Sequence, residues 1–424
     1  MMRLFIFESH PVQYHAPVYR ELHRLCVERG RGQVQVFYGT DVTTRGHFDA
    51  GFGKAFAWDA PLLQGYSARV LNTENGVPLE GFNSLTGKGI PALLRRERPD
   101  AVLLTNLAYR FDWTVYLTAL RLGIPIWLRT ETQDEAFERG QVKSSLRYWF
   151  YRLTYAPVRK ALVIGKLNAE HYERHGIHSH RHVRSPYCVV DRFADLTEAQ
   201  TAAWRRQIRR AAGFDVGQIV LLYCGKFQAK KYPEALLEAM AALPLEERRR
   251  YGVLYVGSGE LESSVRLRAR SLAGTRVWFA GFRNQTELPP FYVAADVLVL
   301  PSRKMGETWG LVVNEALLAG LKVIISRNVG CRADFQEAPG VLVFDGSVGD
   351  LTTSLRRLPK VASGQSPREF MRQYSVRAAA EGIARAMGFD PTKLGEQVLA
   401  DSHRRIAPPQ ETEEMISTKE VAAS

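Results

Sequence analysis

The chain has 424 residues, of which 46% are hydrophobic and 24% are charged, and its formal net charge is +13. This composition excludes an intrinsically disordered chain, and the length predicts two domains, because single cores rarely grow beyond about 300 residues. The four cysteines form no Cys-x-x-Cys pair, which argues against a zinc site or a disulfide framework. The apolar runs are short, so we expect no membrane span.

Short apolar segments alternate with helical stretches through the N-terminal half of the chain. Strands are predicted at 3–8, 34–39, 101–106, 124–129 and 161–165. This alternation indicates a parallel sheet that helices cover on both faces.

The segment 145–160 (SLRYWFYRLTYAPVRK) combines aromatic and basic side chains. Such a helix could lie in the interface of an anionic membrane, with its rings among the headgroups, or it could pack its rings against the sheet. Five histidines follow between His171 and His182, and their spacings favour a polar loop over a metal site.

A second series of apolar segments begins after 186–200, where Pro186 and polar residues interrupt the pattern. Its strands are predicted at 219–225, 252–259, 276–281, 296–302, 322–326 and 340–344. Two successive series predict an α/β protein built from two Rossmann-like domains. Because open parallel sheets bind ligands at the carboxyl ends of their strands, we expect the site in the cleft between the domains.

Three lysines follow the first strand of the second series. Gly225 ends this strand, and Lys226, Lys230 and Lys231 stand at the turn into the next helix. Three cations at a strand-to-helix junction suit a diphosphate, although lysines on a solvated surface would give the same pattern.

Glycine and aromatic residues follow the next two strands. Gly257 and Gly259 could let the backbone approach a ligand closely, or they could form a simple tight turn. Phe282 and Arg283 stand where backbone groups could contact a nucleobase, whereas Tyr292 is expected in the core.

Two glutamates flank a loop-to-helix junction later in the second series. Glu307 precedes Gly310, and Glu315 stands eight positions after Glu307. Carboxylates accept hydrogen bonds from hydroxyl groups, so one could hold a sugar and the other a ribose. Backbone amides at the start of the helix would then favour the diphosphate between them. Taken alone, this spacing of glutamates is commonplace.

Taken together, these turns resemble glycosyltransferase family 4. ETWGL at 307–311, with Glu315, resembles the E-x7-E motif of its retaining enzymes, and Thr308 replaces the usual proline. VGSGELE resembles the family's Val-Gly-x-Gly turn, and AADVLVLPS resembles its strand leading to Pro-Ser. The resemblance covers residues 219–345.

The resemblance also assigns roles to individual residues. Lys226 stands where the family's Gly-Arg pair carries arginine, Lys231 stands at its phosphate lysine, and Tyr232 replaces a glycine. It implies that the two lysines neutralise a diphosphate leaving group, that Glu315 holds the ribose hydroxyls and that Glu307 holds the transferred sugar.

The family's fold is GT-B, in which two Rossmann-like domains face each other across a cleft, and its donor here would be a UDP- or GDP-linked sugar. We expect no cofactor and no metal ion, because the lysines could take the place of a metal. The expected donor-binding residues are Gly225, Lys226, Lys231, Gly257, Gly259, Phe282, Arg283, Glu307, Thr308, Trp309, Gly310, Leu311 and Glu315. The expected catalytic residues are Glu307, Lys226, Lys231 and Glu131.

The N-terminal half resembles the family less closely. HPVQYHAP, at 10–17, is similar to the opening of bacterial members thought to act in surface-polysaccharide assembly. Its His10, Gln13 and Tyr14 could contact the acceptor or the donor sugar, or they could cap and pack the following helix. Family members often carry a histidine after a later strand, where this chain has Arg129 and Glu131. Arg129 is an acceptor-side candidate, and Glu131 could orient an acceptor hydroxyl.

These observations predict an acceptor-side domain at 1–190, a nucleotide-sugar-binding domain at 191–375, and a crossing helix with a flexible tail at 376–424. The predicted reaction is retaining transfer of a sugar to a lipid-linked or growing surface glycan. It would occur in the cytoplasm or at the inner face of the plasma membrane, where residues 145–160 would contact anionic lipid. A soluble small-molecule acceptor and a non-catalytic nucleotide-sugar-binding protein remain as alternatives. We expect no nucleic-acid partner, because the sequence contains no recognised module.

Overall fold

A computed structural model of the protein describes residues 1–74, 79, 81–358 and 366–389. The N-terminal half contains strands β1 (Arg3–Glu8), β2 (Gln33–Tyr38), β3 (His47–Asp49), β4 (Lys54–Phe56), β5 (Ala68–Val70), β6 (Ala101–Leu104), β7 (Ile126–Leu128), β8 (Val158–Val163) and β9 (His182–Arg184). Its helices are α1 (Ala16–Arg29), α2 (Val42–Arg45), α3 (Ile90–Glu97), α4 (Arg110–Leu122), α5 (Gln141–Tyr155) and α6 (Lys166–Arg174).

The second half contains strands β10 (Ile219–Cys224), β11 (Tyr251–Val256), β12 (Arg276–Gly281), β13 (Val297–Leu300), β14 (Lys322–Ser326) and β15 (Val341–Phe344). Its helices are α7 (Glu198–Ala212), α8 (Glu234–Ala241), α9 (Leu245–Arg248), α10 (Glu262–Arg270), α11 (Pro289–Ala294), α12 (Val312–Leu318), α13 (Arg332–Phe335), α14 (Val348–Arg357), α15 (Pro367–Phe370) and α16 (Val376–Ala386).

Two parallel sheets form the framework, which confirms the predicted pair of Rossmann-like units. The first sheet has the order β5-β2-β1-β6-β7-β8-β9, and the second has the order β12-β11-β10-β13-β14-β15. In each sheet the first strand in sequence is central, so β1 pairs with β2 and β6, and β10 pairs with β11 and β13. The chain reverses direction across the sheet at these central strands, which is where such folds bind ligands.

Both faces of each sheet are buried, as the continuous apolar strands predict. Leu4 and Ile6 of β1 pack towards α1 and α16, whereas Phe5 and Phe7 pack towards α3 and α4. Side chains alternate across a strand, so a strand that is apolar at every position serves two cores. The same alternation divides β10 between the two cores of the second sheet.

The strands predicted from the sequence all form, with ends that differ from the predicted positions by at most three residues. The sequence analysis did not identify β5, β9 or the antiparallel hairpin of β3 and β4. Each of these strands has only three residues and is only partly buried, so it carries no continuous apolar run.

The last described helix, α16, packs on the core of the first sheet. A 3-10 turn at Met371–Tyr374 separates α15 from α16, and the Ser375 side chain caps α16 by accepting a hydrogen bond from Ala378 N at 3.1 Å. α16 packs against α1, and Gly382 comes so close to the segment after β9 that an added Cβ would lie 2.1 Å from Arg184 O. The predicted tail beyond 389 lies outside the described residues.

Candidate functional site

A cavity of about 460 Å³ lies at the carboxyl ends of the central strands of the second sheet, and residues from both halves line it. We call it the cleft cavity. A larger cavity of about 1170 Å³ lies between α1 and residues 366–377. The larger cavity is lined by none of the site residues that the sequence predicts, so the cleft cavity is the candidate site.

The predicted lysines all line the cleft cavity, in the loop between β10 and α8. Lys231 Nζ lies 2.5 Å from Glu307 Oε2, and Lys226 Nζ lies 2.8 Å and 2.9 Å from the two carboxylate oxygens of Asp49. Burial lowers the pKa of Lys230, and the charges of Lys231 and Lys226 lower it further against the opposing effect of Glu307. The cavity therefore concentrates positive charge that an anion would stabilise.

Tyr232 ends this loop, at the position where the resemblance to glycosyltransferase family 4 would place a glycine. Its φ of +48° lies in the left-handed region, which glycine adopts at little cost and other residues rarely adopt. The Arg303 guanidinium stacks on its ring at 3.6 Å, and the Tyr232 hydroxyl donates to Glu238 Oε2 at 2.6 Å. These contacts hold the loop in a conformation that the backbone of tyrosine disfavours.

The two glutamates have different surroundings. Glu307 lies in the loop after β13, where Lys231 pairs with it and Ser302 Oγ donates to Oε2 at 3.1 Å. Glu315 lies on α12, and the Tyr292 hydroxyl donates to its Oε2 at 2.5 Å. Its Oε1 is buried and accepts no hydrogen bond from the described part of the chain. Burial raises the pKa of Glu315 against the hydrogen bond from Tyr292.

Tyr292 lies in the core of the second sheet, as the sequence predicts, and it also holds one of the candidate ligand-binding carboxylates. The sequence analysis missed this second role because Tyr292 lies on α11, 23 positions before Glu315. No local motif links residues at that separation.

Most other predicted donor-side residues also line the cleft cavity. They are Gly225, Gly257, Phe282, Arg283, Thr308, Trp309, Gly310 and Leu311. Gly257 has a φ of +132°, and an added Cβ there would lie 2.0 Å from Gly225 O, so only glycine fits. Gly259 does not line the cavity, because it packs against the backbone of Phe227 and Gly51.

Glu131 connects the two halves at the edge of the cavity. Thr308 Oγ1 donates to Glu131 Oε2 at 3.2 Å, and the Tyr187 hydroxyl donates to the other carboxylate oxygen. Asn314 Nδ2 donates to Tyr187 O at 3.2 Å, and Asn314 Oδ1 accepts a hydrogen bond from Trp309 Nε1 at 2.9 Å. This network places a carboxylate from the N-terminal half beside the loop that carries Glu307.

The predicted acceptor-side residues divide into two groups. Gln13 and Tyr14, in the turn between β1 and α1, line the cleft cavity. His10 does not line it: its Nδ1 lies 3.0 Å from Ser9 Oγ, and burial lowers its pKa. Arg129 is only 3% exposed and also lies outside the lining. Its guanidinium donates to Ser185 Oγ and Pro186 O, so it ties β7 to the segment after β9.

The hairpin of β3 and β4 contributes cavity residues that the sequence analysis missed. Phe52 and Trp58 line the cavity beside Phe282, and the Phe52 and Phe282 ring centroids are 4.8 Å apart. Asp49 from the same hairpin pairs with Lys226. The signal was present as aromatic residues spaced around two glycines in HFDAGFGKAFAW, a pattern typical of a hairpin rather than of a buried strand.

The prediction of a polar loop for the histidine-rich segment holds only between α6 and β9, because the first two histidines belong to α6 and His182 begins β9. His171 lies on α6 and His175 caps it, and both are buried. With Asp134 they form the one group among the described residues whose ligand atoms, all within 4.8 Å, could hold a metal ion. The group lies away from the cleft cavity lining.

Several contacts compete with a metal ion at this group. His171 Nδ1 lies 2.9 Å from Asp134 Oδ1, His175 Nδ1 lies 2.7 Å from His171 O, and Arg147 approaches Asp134 at 3.4 Å. Burial lowers the pKa of His171 to about 4 against the raising effect of Asp134. Burial raises the pKa of Asp134, but the hydrogen bond and charge of His171 outweigh it and lower that pKa to about 2.

One face of helix α5 leaves its apolar side chains exposed. Val142, Leu146, Trp149 and Leu153 are each more than half exposed, and Phe150 is 48% exposed. The alternative in which the rings of this segment pack in the core holds for Tyr155 and not for this face. Among the described residues, no helix has both the length and the apolar character needed to cross a bilayer.

Comparison with known proteins is consistent with this geometry. Residues 205–375 match the family model described as Glycosyl transferases group 1. In solved structures, the fold resembles Anabaena HepE in complex with UDP and glucose, with a TM-score of 0.64 and 13% identity over 91% of this chain and 99% of that one. It also resembles WaaG, a glycosyltransferase involved in lipopolysaccharide biosynthesis, with a TM-score of 0.61 and 15% identity over the same shares. The fold is therefore GT-B, and residues 205–375 are similar to the glycosyl transferases group 1 family.

Curated relatives are similar over part of the chain. D-inositol 3-phosphate glycosyltransferase 2 of Catenulispora acidiphila is 34% identical over 164 residues, which are 36% of this chain and 38% of that protein. Sulfoquinovosyl transferase SQD2 of Arabidopsis thaliana is 31% identical over 173 residues, 39% of this chain and 32% of that protein. The chain thus aligns with less than half of the length of these relatives.

Proposed function

We propose that the protein is a retaining glycosyltransferase that transfers a sugar from a UDP- or GDP-linked donor to a hydroxyl acceptor. The observation that carries the proposal is that three lysines and a buried carboxylate, Glu315, line the same cavity. The Oε1 atom of Glu315 accepts no hydrogen bond from the described residues. A buried acceptor of this kind costs free energy until a donor group satisfies it. Two ribose hydroxyls would satisfy it, and the lysines would bind the diphosphate.

The donor would extend from Glu315 to Glu307. The rings of Phe52, Trp58 and Phe282 offer an apolar surface on which the nucleobase can stack. Glu307 would accept hydrogen bonds from hydroxyls of the transferred sugar. This arrangement supports the glutamate roles and the E-x7-E motif that the family resemblance implies.

The lysines would act on the bond that breaks. As the bond from the anomeric carbon to the diphosphate opens, negative charge grows on the leaving oxygen, and fixed cations stabilise it. The acceptor oxygen bonds to the same face of the anomeric carbon, and its proton passes to a phosphate oxygen of the leaving group. Lys231 is best placed for this role, because its contact with Glu307 links the phosphate and sugar ends of the cavity.

We also propose the domain division at 1–190, 191–375 and 376–424. The first sheet ends at Arg184 and the second begins at Ile219, which supports a boundary between them. α16 packs on the N-terminal core although it follows the second sheet in sequence, which supports its role as a crossing element.

For the acceptor we propose a lipid-linked or growing surface glycan, used at the inner face of the plasma membrane. The exposed face of α5 supports this proposal. Val142, Leu146, Trp149 and Leu153 project along one side of the helix, and the exposed Lys143 and Arg152 flank them. An amphipathic helix with aromatic, aliphatic and basic residues binds the interface of anionic bilayers.

Nucleotide binding tests the donor site. Calorimetry with UDP, GDP, ADP and CMP should show one diphosphate that binds the wild-type protein. Glu315→Gln should weaken that binding by about 10- to 100-fold, because it removes charge-assisted hydrogen bonds to the ribose. The exposed Glu246→Gln is the matched control and should bind as the wild type does. Unchanged binding by Glu315→Gln contradicts the proposal, and binding without sugar transfer would indicate the non-catalytic alternative.

Vesicle sedimentation tests the membrane surface. The double variant Trp149→Gln/Leu153→Gln should bind vesicles of phosphatidylcholine and phosphatidylglycerol about 10- to 100-fold more weakly than the wild type. Val216→Gln/Leu267→Gln changes two other apolar residues that are more than half exposed and should leave binding unchanged. Equal binding by both double variants, or none by the wild type, would favour the soluble acceptor.

A further inference from the structure

A third cavity, of about 560 Å³, lies beside the cleft cavity and shares no lining residue with it. Loop 134–139, the first turns of α5, the end of α6 and Lys304 line it. We call it the cationic cavity. We propose that it binds a phosphate group carried by the acceptor, an inference that rests on the proposed transfer reaction.

Positive charge dominates the lining of the cationic cavity. Its cations are Arg139, Arg147, Arg174 and Lys304, and its carboxylates are Asp134 and Glu138. Lys304 forms no ion pair with any residue in the described ranges, and Arg174 meets Asp134 only at 3.7 Å. An anion that entered the cavity would meet an excess of donors.

Asp134, the partly buried carboxylate of the cationic cavity, already contacts His171 and Arg147. It lies 2.9 Å from His171 Nδ1 and 3.4 Å from Arg147 Nη2. Burial and the nearby charge of Arg147 both lower the pKa of Arg139. The guanidinium groups of Arg139 and Arg147 therefore lie close together, and the nearby carboxylates do not neutralise both of them.

A phosphate suits this site better than a metal ion does. Guanidinium groups bind phosphate oxygens through paired hydrogen bonds, and two or three phosphate oxygens can serve several cations together. A divalent cation at Asp134, His171 and His175 would instead be repelled by Arg147 and Arg174.

The two cavities are close enough to serve one acceptor molecule. Gly306 N donates to Ala136 O at 2.8 Å, so loop 304–308 and loop 131–139 run side by side. Glu307 lines the cleft cavity and Lys304 lines the cationic cavity, and three residues of chain span at most about 11 Å. An acceptor could place its hydroxyl beside Glu131 and Glu307 while its phosphate occupies the cationic cavity.

Two sources of this phosphate fit the chemistry. It could belong to a lipid, because α5 carries both Arg147 in the cationic cavity and the exposed apolar face. It could equally belong to a soluble sugar phosphate. Both sources require the same cations.

Calorimetry with inorganic pyrophosphate tests the cationic cavity directly. The wild type should show two binding events, one in each cavity. Lys304→Gln/Arg174→Gln should weaken one event by at least about tenfold, because each substitution removes a charge-assisted contact. Lys226→Gln/Lys231→Gln should weaken the other event. Both residues of the first pair are exposed, so a change in thermal midpoint is not expected.

Lys88→Gln/Arg159→Gln is the matched control, since both side chains are exposed and neither lines the cationic cavity. It should retain both events. If Lys304→Gln/Arg174→Gln also retains both, the proposal is overturned. An error in the proposed donor site would give a different result. In that case Lys226→Gln/Lys231→Gln would bind pyrophosphate in both events as the wild type does.

Two further probes identify the source of the phosphate. If Lys304→Gln/Arg174→Gln binds vesicles containing phosphatidic acid more weakly than the control pair does, the phosphate belongs to a lipid. If it instead binds a soluble hexose 1-phosphate more weakly than the control pair does, the phosphate belongs to a sugar. If Lys304→Gln/Arg174→Gln binds both probes as the control does, the acceptor assignment is wrong.

Discussion

The two halves of the protein supply the cleft cavity in different ways. In the second half, Lys226, Gly257 and Phe282 follow strands of the sheet within two residues, and Glu307 lies seven residues after β13. In the first half, Gln13, Tyr14 and Glu131 also follow strands of the sheet, but the aromatic residues Phe52 and Trp58 come from a small hairpin outside that sheet.

The contacts that hold these residues differ in the same way. Lys231 pairs with Glu307, and Tyr292 with Glu315, entirely within the second half. The contributions of the first half are held by contacts between the halves, such as the hydrogen bond from Ser258 Oγ to Phe52 O at 2.9 Å. The second half therefore holds its own cavity residues in place, and the first half adds residues that depend on contacts with the second.

The largest effect is expected at Lys231. Lys231→Gln should lower kcat for the nucleotide sugar that binds by about 100- to 1,000-fold, because it removes a cation from the leaving group. Hydrolysis or transfer assays measure this effect, and Lys88→Gln is the control of equal chemistry on the surface. A loss confined to KM would indicate that Lys231 contributes uniform binding, and the second half would then lack its leaving-group catalyst.

The next largest effect is expected on the free energy of unfolding, at the buried His171 in the first half. Burial lowers its pKa to about 4 in the folded protein, from 6.5 for an unperturbed histidine. Below pH 6.5 the unfolded chain binds a proton that the folded chain refuses, so stability falls as the pH drops from 6.5 to 4 and is fully retained above that range. The total loss is about 3 kcal/mol.

Denaturant unfolding at several pH values measures this dependence. His171→Gln should flatten the profile between pH 6.5 and 4, whatever its effect on stability at neutral pH. The exposed His180→Gln should leave the profile unchanged. If both variants keep the wild-type slope, His171 is not held in its neutral form by burial.

The fold was largely predictable from the sequence because each central strand is a continuous apolar run. β10 and β11 are buried along nearly their whole length, so their composition identifies them without any knowledge of their neighbours. β5 and β9 pair only through three residues at the sheet edges, and their composition carries no comparable signal.

The candidate site was predictable where function lies next to a strand end. The lysines after β10 and the glutamates near α12 stand at strand and helix ends, and the resemblance to glycosyltransferase family 4 singled them out there. The roles of Asp49 and Tyr187 could not be found in this way, because each contacts a cavity residue that is far away in sequence. Asp49 contacts Lys226, and Tyr187 contacts Glu131. Arg129 shows the opposite error, since a charged residue at a strand end serves a buried structural contact.

The smallest effect is expected at the contact between Asp49 and Lys226, which tests whether the first half completes the site or competes with its ligand. Burial opposes ionisation of Asp49, but the hydrogen bond and charge of Lys226 outweigh it and lower its pKa. The carboxylate thus occupies a cation that the diphosphate would use. Asp49→Asn should tighten binding of the nucleoside diphosphate by about two- to fivefold, as expected for a partly exposed ion pair.

Asp59→Asn is the matched control for this experiment, because Asp59 also joins the segment after the hairpin to the second half, through Thr286, without contacting a lysine. If Asp49→Asn tightens binding and Asp59→Asn does not, the hairpin competes with the diphosphate for Lys226. If Asp49→Asn weakens binding more than Asp59→Asn does, Asp49 positions Lys226 for the ligand. The first half would then be part of the donor site rather than a cover over it.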